Sequence, residues 1–315
     1  MQKTIYEQTE DLIKEQLENW PMAKDNFYGL NSVEVKEVKF EGDFKVKVQF
    51  NPERIRSSSA KVDDKSIKER KCFLCSQNRP SVQKGVDFNG EYTILINPFP
   101  IFKKHLTIPG NLHQDQRIEE RFVDMLQISR ALEKYVVFYN GPKCGASAPD
   151  HFHFQAGNVG FLPVEDEFNS FKNKTLLDST DDYKVYALDN YLRKGLVFTG
   201  CDTTVLNQLF SKAWSFFKDN IPSDPEPMVN ILTFWEKNQW KIFLFPRNGH
   251  RPKQFFYDDP DKIMLSPASV DFGGVLITPR KEDFEKLNGE IITDIFNQVT
   301  IDDNVWEKLK RVFSK

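Results

Sequence analysis

Hydrophobic positions along this chain switch repeatedly between a period of two and a period near three and a half, and the switches mark its elements. Residues 33–40 and 43–50 alternate apolar and polar side chains around Glu41-Gly42-Asp43, the pattern of a hairpin. Residues 8–20 carry a short amphipathic helical spacing that stops before Pro21. Residues 51–90 are polar and irregular. Residues 92–96 and 102–108 read as strands around Asn97-Pro98-Phe99-Pro100. Ile118, Phe122, Met125, Ile128, Leu132 and Tyr135 recur at steps of three and four and predict a helix over 116–135. A strand at 136–139, a glycine-containing loop and a strand through His151-Phe152-His153-Phe154-Gln155 follow.

The second half repeats the mixture. Residues 183–188 and 195–199 read as strands, 203–218 as a helix, and 229–235 with 239–246 as a hairpin. Residues 270–278 form a further strand and 281–313 are mostly helical. Strands come in hairpins and meanders without regular β-α alternation, so the fold class is α+β, a mainly antiparallel sheet with packed helices. No short-period repeat is visible. A diffuse boundary at 165–180 divides the chain into residues 1–165 and 166–315.

Composition narrows the class. Of 315 residues, 39% are apolar and 28 are Phe, so a large core is available. The net charge of −3 excludes a global basic field for nucleic acid or an anionic membrane. No run approaches the roughly 18 apolar residues of a membrane span, and residues 1–10 lack the apolar core of a signal peptide. The expectation is a soluble cytoplasmic protein without nucleic-acid or membrane partners. Four cysteines, Cys72, Cys75, Cys144 and Cys201, are too sparse for a disulfide scaffold.

Two of the five histidines lie one residue apart, behind Gly145-Ala146-Ser147-Ala148-Pro149. In a strand, His151, His153 and Gln155 share one face while Phe152 and Phe154 point to a core. A neutral imidazole is a competent nucleophile toward phosphorus. Gln155 can donate its amide to a phosphoryl oxygen, and the loop offers the N–H groups of Gly145, Ala146 and Ser147 and the Ser147 hydroxyl. The plainer reading is a pair of structural histidines on an ordinary strand. Cys72-Phe73-Leu74-Cys75 can clip one Zn²⁺ that needs two more ligands, with His113 and His151 as candidates and His105 as the alternative third ligand. The competing reading is two reduced cysteines without metal. Arg54, Arg56 and Lys61, and Arg247, His250, Arg251 and Lys253, form two basic clusters, either phosphate- or sugar-contacting or simply solvated. Phe99 and Phe102 are candidates to stack on a base, although most Phe will be core.

The segment Tyr139-Asn140-Gly141-Pro142-Lys143-Cys144-Gly145-Ala146-Ser147-Ala148-Pro149-Asp150-His151-Phe152-His153-Phe154-Gln155 resembles the active-site strand of the histidine-triad superfamily. More narrowly it is similar to the transferase and phosphorylase branch, whose motif ends in Gln: galactose-1-phosphate uridylyltransferases, diadenosine tetraphosphate phosphorylases and GDP-hexose phosphorylases. The match covers roughly residues 92–157. One departure is Asp150, which separates Pro149 from His151 where relatives often have Pro directly before the first His. Phe245-Pro246-Arg247, Ser266-Pro267-Ala268 and Gly273-Gly274-Val275-Leu276-Ile277 resemble the C-terminal half of GDP-hexose phosphorylases.

The resemblance implies two related histidine-triad-like halves, 1–165 catalytic and 166–315 completing the substrate site. It implies that His153 is the nucleophile, that Gln155 holds the phosphate, that Asn140 and Ser147 orient nucleotide phosphates and that Asn97 contacts ribose. Gly145, Arg247 and Arg251 join the expected substrate-binding set. By likeness to bacterial galactose-1-phosphate uridylyltransferases, Cys72, Cys75, His113 and His151 would bind a structural zinc. The implied function is nucleotidyl transfer from a nucleoside diphosphate sugar or dinucleoside polyphosphate through a covalent His-nucleotide, with phosphate or a sugar phosphate as acceptor. No organic cofactor is expected, and relatives with this chemistry are often homodimers. Hexose-1-phosphate uridylyl exchange, simple hydrolysis, and a non-catalytic zinc-stabilised nucleotide-binding module stay open as alternatives.

Overall fold

A computed structural model describes residues 3–54, 64–170 and 174–314. Arg56 and Lys61 of the first basic cluster therefore lie outside the described residues. The chain opens with α1 (Ile5–Asn19), whose first turn is closed by a reciprocal Thr4–Glu7 capping box, and α2 (Pro21–Gly29), which Pro21 starts at its first position. The expected hairpin follows as β1 (Glu34–Phe40) and β2 (Phe44–Phe50), then α3 (Asp64–Glu69), β3 (Gly85–Phe88), β4 (Tyr92–Ile96) and β5 (His105–Pro109). Next come α4 (Phe122–Ala131), β6 (Tyr135–Asn140), β7 (His153–Asn158) and α5 (Pro163–Ser170).

The second half runs β8 (Lys174–Ser179), β9 (Tyr183–Leu188), β10 (Leu196–Gly200), α6 (Thr203–Asn220), β11 (Val229–Glu236) and β12 (Gln239–Pro246). It ends with α7 (Ser269–Phe272), β13 (Val275–Thr278), α8 (Lys281–Lys286), α9 (Gly289–Val299) and α10 (Asp303–Phe313). No helix among the described residues is long and apolar enough to cross a membrane.

Ten strands form one antiparallel sheet in the order β3-β4-β5-β7-β6-β11-β12-β10-β9-β8. Counted inward from its two edges, the order is 3-4-5-7-6 on one side and 8-9-10-12-11 on the other. In each series the third and fourth strands in chain order are separated by a helix, α4 or α6. The series meet where β6 pairs with β11, with Asn140 opposite Asn230. A small sheet, β1-β2-β13, carries the parallel pair β2–β13.

Strand alternation sends side chains to two cores. Along β6, Tyr135, Val137 and Tyr139 enter the core under α1, α2, α4, α6 and α10. Val136 and Phe138 enter the opposite core, shared with the small sheet and α5, α7, α8 and α9. Phe152 and Phe154 join the first core, as the alternation predicts. Catalytic candidates on β7 therefore face the small sheet.

Several predicted elements move. The helix expected at 116–135 begins only at Phe122. Upstream of it, the Ile118 N–H donates to Glu226 and the Gln116 side chain is bound to strand backbone, while Tyr135 already belongs to β6. Ile118 keeps its place in the core without being helical. The strand expected at 102–108 begins at His105, because the Ile101 N–H donates to His105 Nδ1 and turns the chain back. The strand at 270–278 is a helical turn, a Gly273-Gly274 break and β13; Gly274 has φ +103°, which interrupts a continuous strand. Missed entirely are β3 and β8, the two edge strands of the large sheet, which are short or polar and carry weak alternation.

Candidate active site

His153 opens β7 opposite Pro109 of β5, and its ring is buried. Nδ1 lies 2.9 Å from the carbonyl oxygen of His151, an acceptor only, so Nδ1 carries the proton and Nε2 keeps its lone pair. Burial, with the neighbouring His151 as a smaller influence, holds the imidazole down at about 4. At neutral pH His153 is thus a neutral imidazole with a fixed tautomer on a cavity wall.

Gln155 faces the same cavity. Its Oε1 lies 3.0 Å from His105 Nε2, while His105 Nδ1 accepts the Ile101 N–H at 3.2 Å. His105 therefore donates from Nε2, occupies the Gln155 oxygen and turns the amide NH₂ outward. The expectation that His151, His153 and Gln155 present one functional face is corrected. His151 precedes the strand, does not line the cavity and turns its ring toward the cysteines.

Buried Gln116 clamps the strand ends. Its Oε1 accepts the His153 N–H at 2.8 Å, and its Nε2 donates to the carbonyl oxygens of His153 and Asn140 at 2.9 and 3.0 Å. Asn140 lines the cavity, and its Oδ1 accepts from Asn230 Nδ2 (3.0 Å) and the Ser269 N–H (2.8 Å), leaving its amide nitrogen for a ligand. Behind Asn230, Arg247 is wholly buried. Its N–H groups go to Asn230 Oδ1 and to the carbonyl oxygens of Val299, Pro267, Gly249 and His250. Arg247 was expected to touch substrate; instead all its donors are spent on holding the 247–268 segment against β11.

The cavity has a volume of about 490 Å³ and draws on both halves of the chain. Asn97, Asn140, Gly145, Ser147, His153 and Gln155 line it from the first half, and His250, Arg251 and Ser266 from the second. Gly145 has φ +98°, and a Cβ there would stand 2.5 Å from the Ala268 Cβ, so the loop and the second half meet at a position only glycine fills. Asn97 Oδ1 accepts the Phe99 N–H. Arg54 lines the cavity and donates to the Phe99 carbonyl oxygen. Trp20, Phe73, Leu74 and Phe99 are among its apolar lining. Phe102 is fully buried in the core and is not available to stack on a base.

Cys72, Cys75, His113 and His151 converge, with one ligand atom from each within 4.8 Å of the others. Cys72 Sγ lies 3.3 Å from His151 Nδ1, Cys75 Sγ 3.2 Å from His113 Nδ1, and the two Nδ1 atoms 3.2 Å apart. A tetrahedral zinc separates such ligand atoms by about 3.3–3.8 Å, so the donor set fits that ion in number, type and spacing. His151 Nε2 donates to the Gly110 carbonyl oxygen at 2.8 Å, which leaves Nδ1 as the ligand atom. Burial pushes the Cys72 thiol up, but the bond from His151 and the Leu74 and Cys75 N–H groups overcome it and bring it down to about 6. Asp150, the residue that departs from the motif, pairs with Arg70 and lies 3.9 Å from His113 Nε2. The extra residue thus braces the cluster and leaves the His153 register intact. His105, the alternative ligand, is committed to Gln155.

Three functional residues were not legible beforehand: His105 as partner of Gln155, Gln116 and Asn230. Thr107 pairs with Gln155, so His105 sits two residues along on the same face. Only knowledge of that register would have shown it.

Residues 12–158 match a family model described as a domain of unknown function (DUF4922), and residues 167–315 match one described as GDPGP1-like, C-terminal domain. Diadenosine 5',5'''-P1,P4-tetraphosphate phosphorylase 2 of Saccharomyces cerevisiae is 23% identical over 268 residues, 78% of this chain and 77% of its own. Protein APA1 of the same yeast is 24% identical over 234 residues, 66% of this chain and 68% of its own. The solved structure of yeast Ap4A phosphorylase Apa2 in complex with Ap4A shares the fold, with a TM-score of 0.59 and 19% identity over 89% of this chain and 96% of that one. Together with the His153-x-Gln155 strand, these matches to both halves support the transferase and phosphorylase branch of the histidine-triad superfamily and mark the chain as a nucleotidyltransferase or phosphorylase.

Proposed function

We propose that this enzyme is a phosphorylase that cleaves a nucleoside diphosphate sugar or a dinucleoside polyphosphate by way of a nucleotidylated His153. The observation that carries the reading is the neutral, tautomer-fixed imidazole of His153 beside the outward amide of Gln155. His153 Nε2 attacks the α-phosphorus. The Nε2–P bond forms as the P–O bond to the departing phosphate breaks, and that oxygen keeps the electron pair. An oxygen of the acceptor phosphate then bonds to phosphorus, and the electron pair of the Nε2–P bond returns to nitrogen. The Gln155 amide and the Asn140 amide donate to the non-bridging oxygens, where charge builds in the transition state. The apolar lining that includes Phe73 and Phe99 takes the base, and Asn97 the ribose.

The GDPGP1-like match over 167–315 supports a GDP-hexose, and the yeast relatives support a dinucleoside polyphosphate. Residues 166–315 complete the site as a second half, with Ala268, His250 and Arg251 on the cavity. Cys72, Cys75, His113 and His151 would hold a structural zinc, whose chemistry is to fix the Cys72–Cys75 loop beside β7. Four protein ligands leave it no open position.

Mass spectrometry of the enzyme mixed with each candidate substrate, without phosphate, is expected to show a nucleotidyl adduct on His153. Chromatography with added phosphate then identifies base and sugar from the products. Full activity in His153→Gly would defeat the mechanism, and repeated turnover to nucleoside monophosphate without any acceptor would make the enzyme a hydrolase.

A further inference from the structure

Arg251 is half-buried on the cavity wall. Its guanidinium carbon stands over the Phe255 ring, 4.2 Å from the centroid, and Nε donates to Ser266 Oγ at 3.3 Å. Among the described residues no carboxylate pairs with it, and its Nη groups have no protein partner. Burial alone holds its pKa below the ordinary value, with no acid opposing it. A cation taken partly out of water without a counter-charge is costly unless an anion arrives.

Two more donors belong to this region, His250 on the cavity wall and Lys143 two residues before the cavity-lining Gly145. His250 lines the cavity, and its ring makes no hydrogen bond to the described protein. Burial, then the charges of Arg251, Arg247 and Lys143, hold it at about 4. Lys143 is exposed on the loop that leads to Gly145 and Ser147 and has no ion pair among the described residues. Arg247 cannot serve, because its donors are spent. Lys253 cannot serve either, because it pairs with Asp294. The planar Arg251 fork, held by a ring on one side and a hydroxyl at Nε, leaves its Nη–Nη edge, two N–H groups in the geometry that phosphate oxygens accept.

We infer that Arg251, His250 and Lys143 form a phosphate subsite for the group that departs when His153 takes the nucleotidyl moiety and that returns as acceptor. The assignment rests on the proposed double displacement. In that scheme the departing and entering phosphates occupy the same position in turn, so one site serves both. It recognises a phosphate dianion, which inorganic phosphate and a sugar 1-phosphate both carry.

Three quantities test it in the full-length protein: adduct formation on His153, the dissociation constant of a nucleoside monophosphate, and the KM for inorganic phosphate or hexose 1-phosphate. Arg251→Gln is expected to raise the acceptor KM about ten-fold or more, and exposed Lys143→Gln about three-fold. The nucleoside monophosphate, which lacks the second phosphate, should bind both variants within about two-fold of wild type; this also reports that they fold. The acceptor whose KM moves is the phosphate source. A labelled wild type with unmoved acceptor KM in both variants overturns the subsite alone. Absence of any His153 adduct in the wild type overturns the double displacement and the subsite with it.

Discussion

His105 and Gln155 are locked together across the β5–β7 pairing: the imidazole Nε2 lies 3.0 Å from the carboxamide oxygen. A glutamine amide is ambiguous at its tip, and only its partners decide which end faces a ligand. Here the Ile101 N–H occupies His105 Nδ1, and that choice propagates to Gln155.

Replacing His105 by Ala therefore frees the amide to rotate. The expected loss is about 10- to 100-fold in kcat, the size found when an orienting partner is removed, with nucleoside monophosphate affinity changed much less. Gln155→Ala should lose a similar amount, and His105→Ala/Gln155→Ala little more than either alone. Steady-state kinetics on the four proteins decide this. Fully additive losses would show that His105 acts independently of Gln155.

The cysteine-histidine cluster predicts one tightly held zinc per chain. Protein purified without added zinc should contain it by metal analysis, and Cys72→Ser should lose it along with thermal stability. Phe73 and Leu74 project from the same loop onto the cavity, so metal removal should also raise the KM for the nucleotide. Zinc-free protein whose unfolding is indifferent to chelator would end the proposal.

Much of this was visible in the sequence because it depends on local period or chemistry. The β1–β2 hairpin, β4, β9 and the β11–β12 hairpin follow from alternation, and Cys72-x-x-Cys75 with two histidines follows from ligand preference. What escaped depends on tertiary partners. Residues 116–121 keep helical spacing yet form an irregular segment and a turn, because Gln116 and Ile118 bond to distant groups. Arg247 looks like a phosphate ligand until the carbonyl oxygens it satisfies are seen. Edge strands β3 and β8 have one partner each, and their sequences barely differ from loop.

Gly145 joins the cavity-lining loop before β7 to the second half. Its φ of +98° is a conformation that costs an L side chain about 1–3 kcal/mol, and the 2.5 Å approach to Ala268 adds a steric charge on top. Gly145→Ala should lower stability by at least that amount and depress kcat/KM by moving Ser147 and Asn140. Adding Ala268→Gly relieves the contact but not the backbone, so recovery in thermal unfolding should be partial. Full recovery would mean that the backbone conformation costs nothing.

Glu226 gives the fold a pH dependence with a definite sign. It is buried and accepts the Tyr139 hydroxyl at 2.6 Å and the Ile118 N–H at 2.9 Å. Burial pushes its carboxyl up to about 7; those two bonds and Arg117 act against the shift, and Glu119 adds to it. In the unfolded chain the same group titrates near the ordinary glutamate value, so between about 4.3 and 7 the folded state binds the extra proton. Its stabilising contribution is complete at the acid end of that window and is lost as pH rises through 7, a total of about 4 kcal/mol at most. Glu226→Gln mimics the protonated acid: its oxygen accepts the Ile118 N–H and its NH₂ donates to the Tyr139 oxygen. The variant should match wild type near pH 5 and exceed it in stability at pH 8, in denaturant unfolding at both pH values. An equal gap at both would place the titration of Glu226 elsewhere.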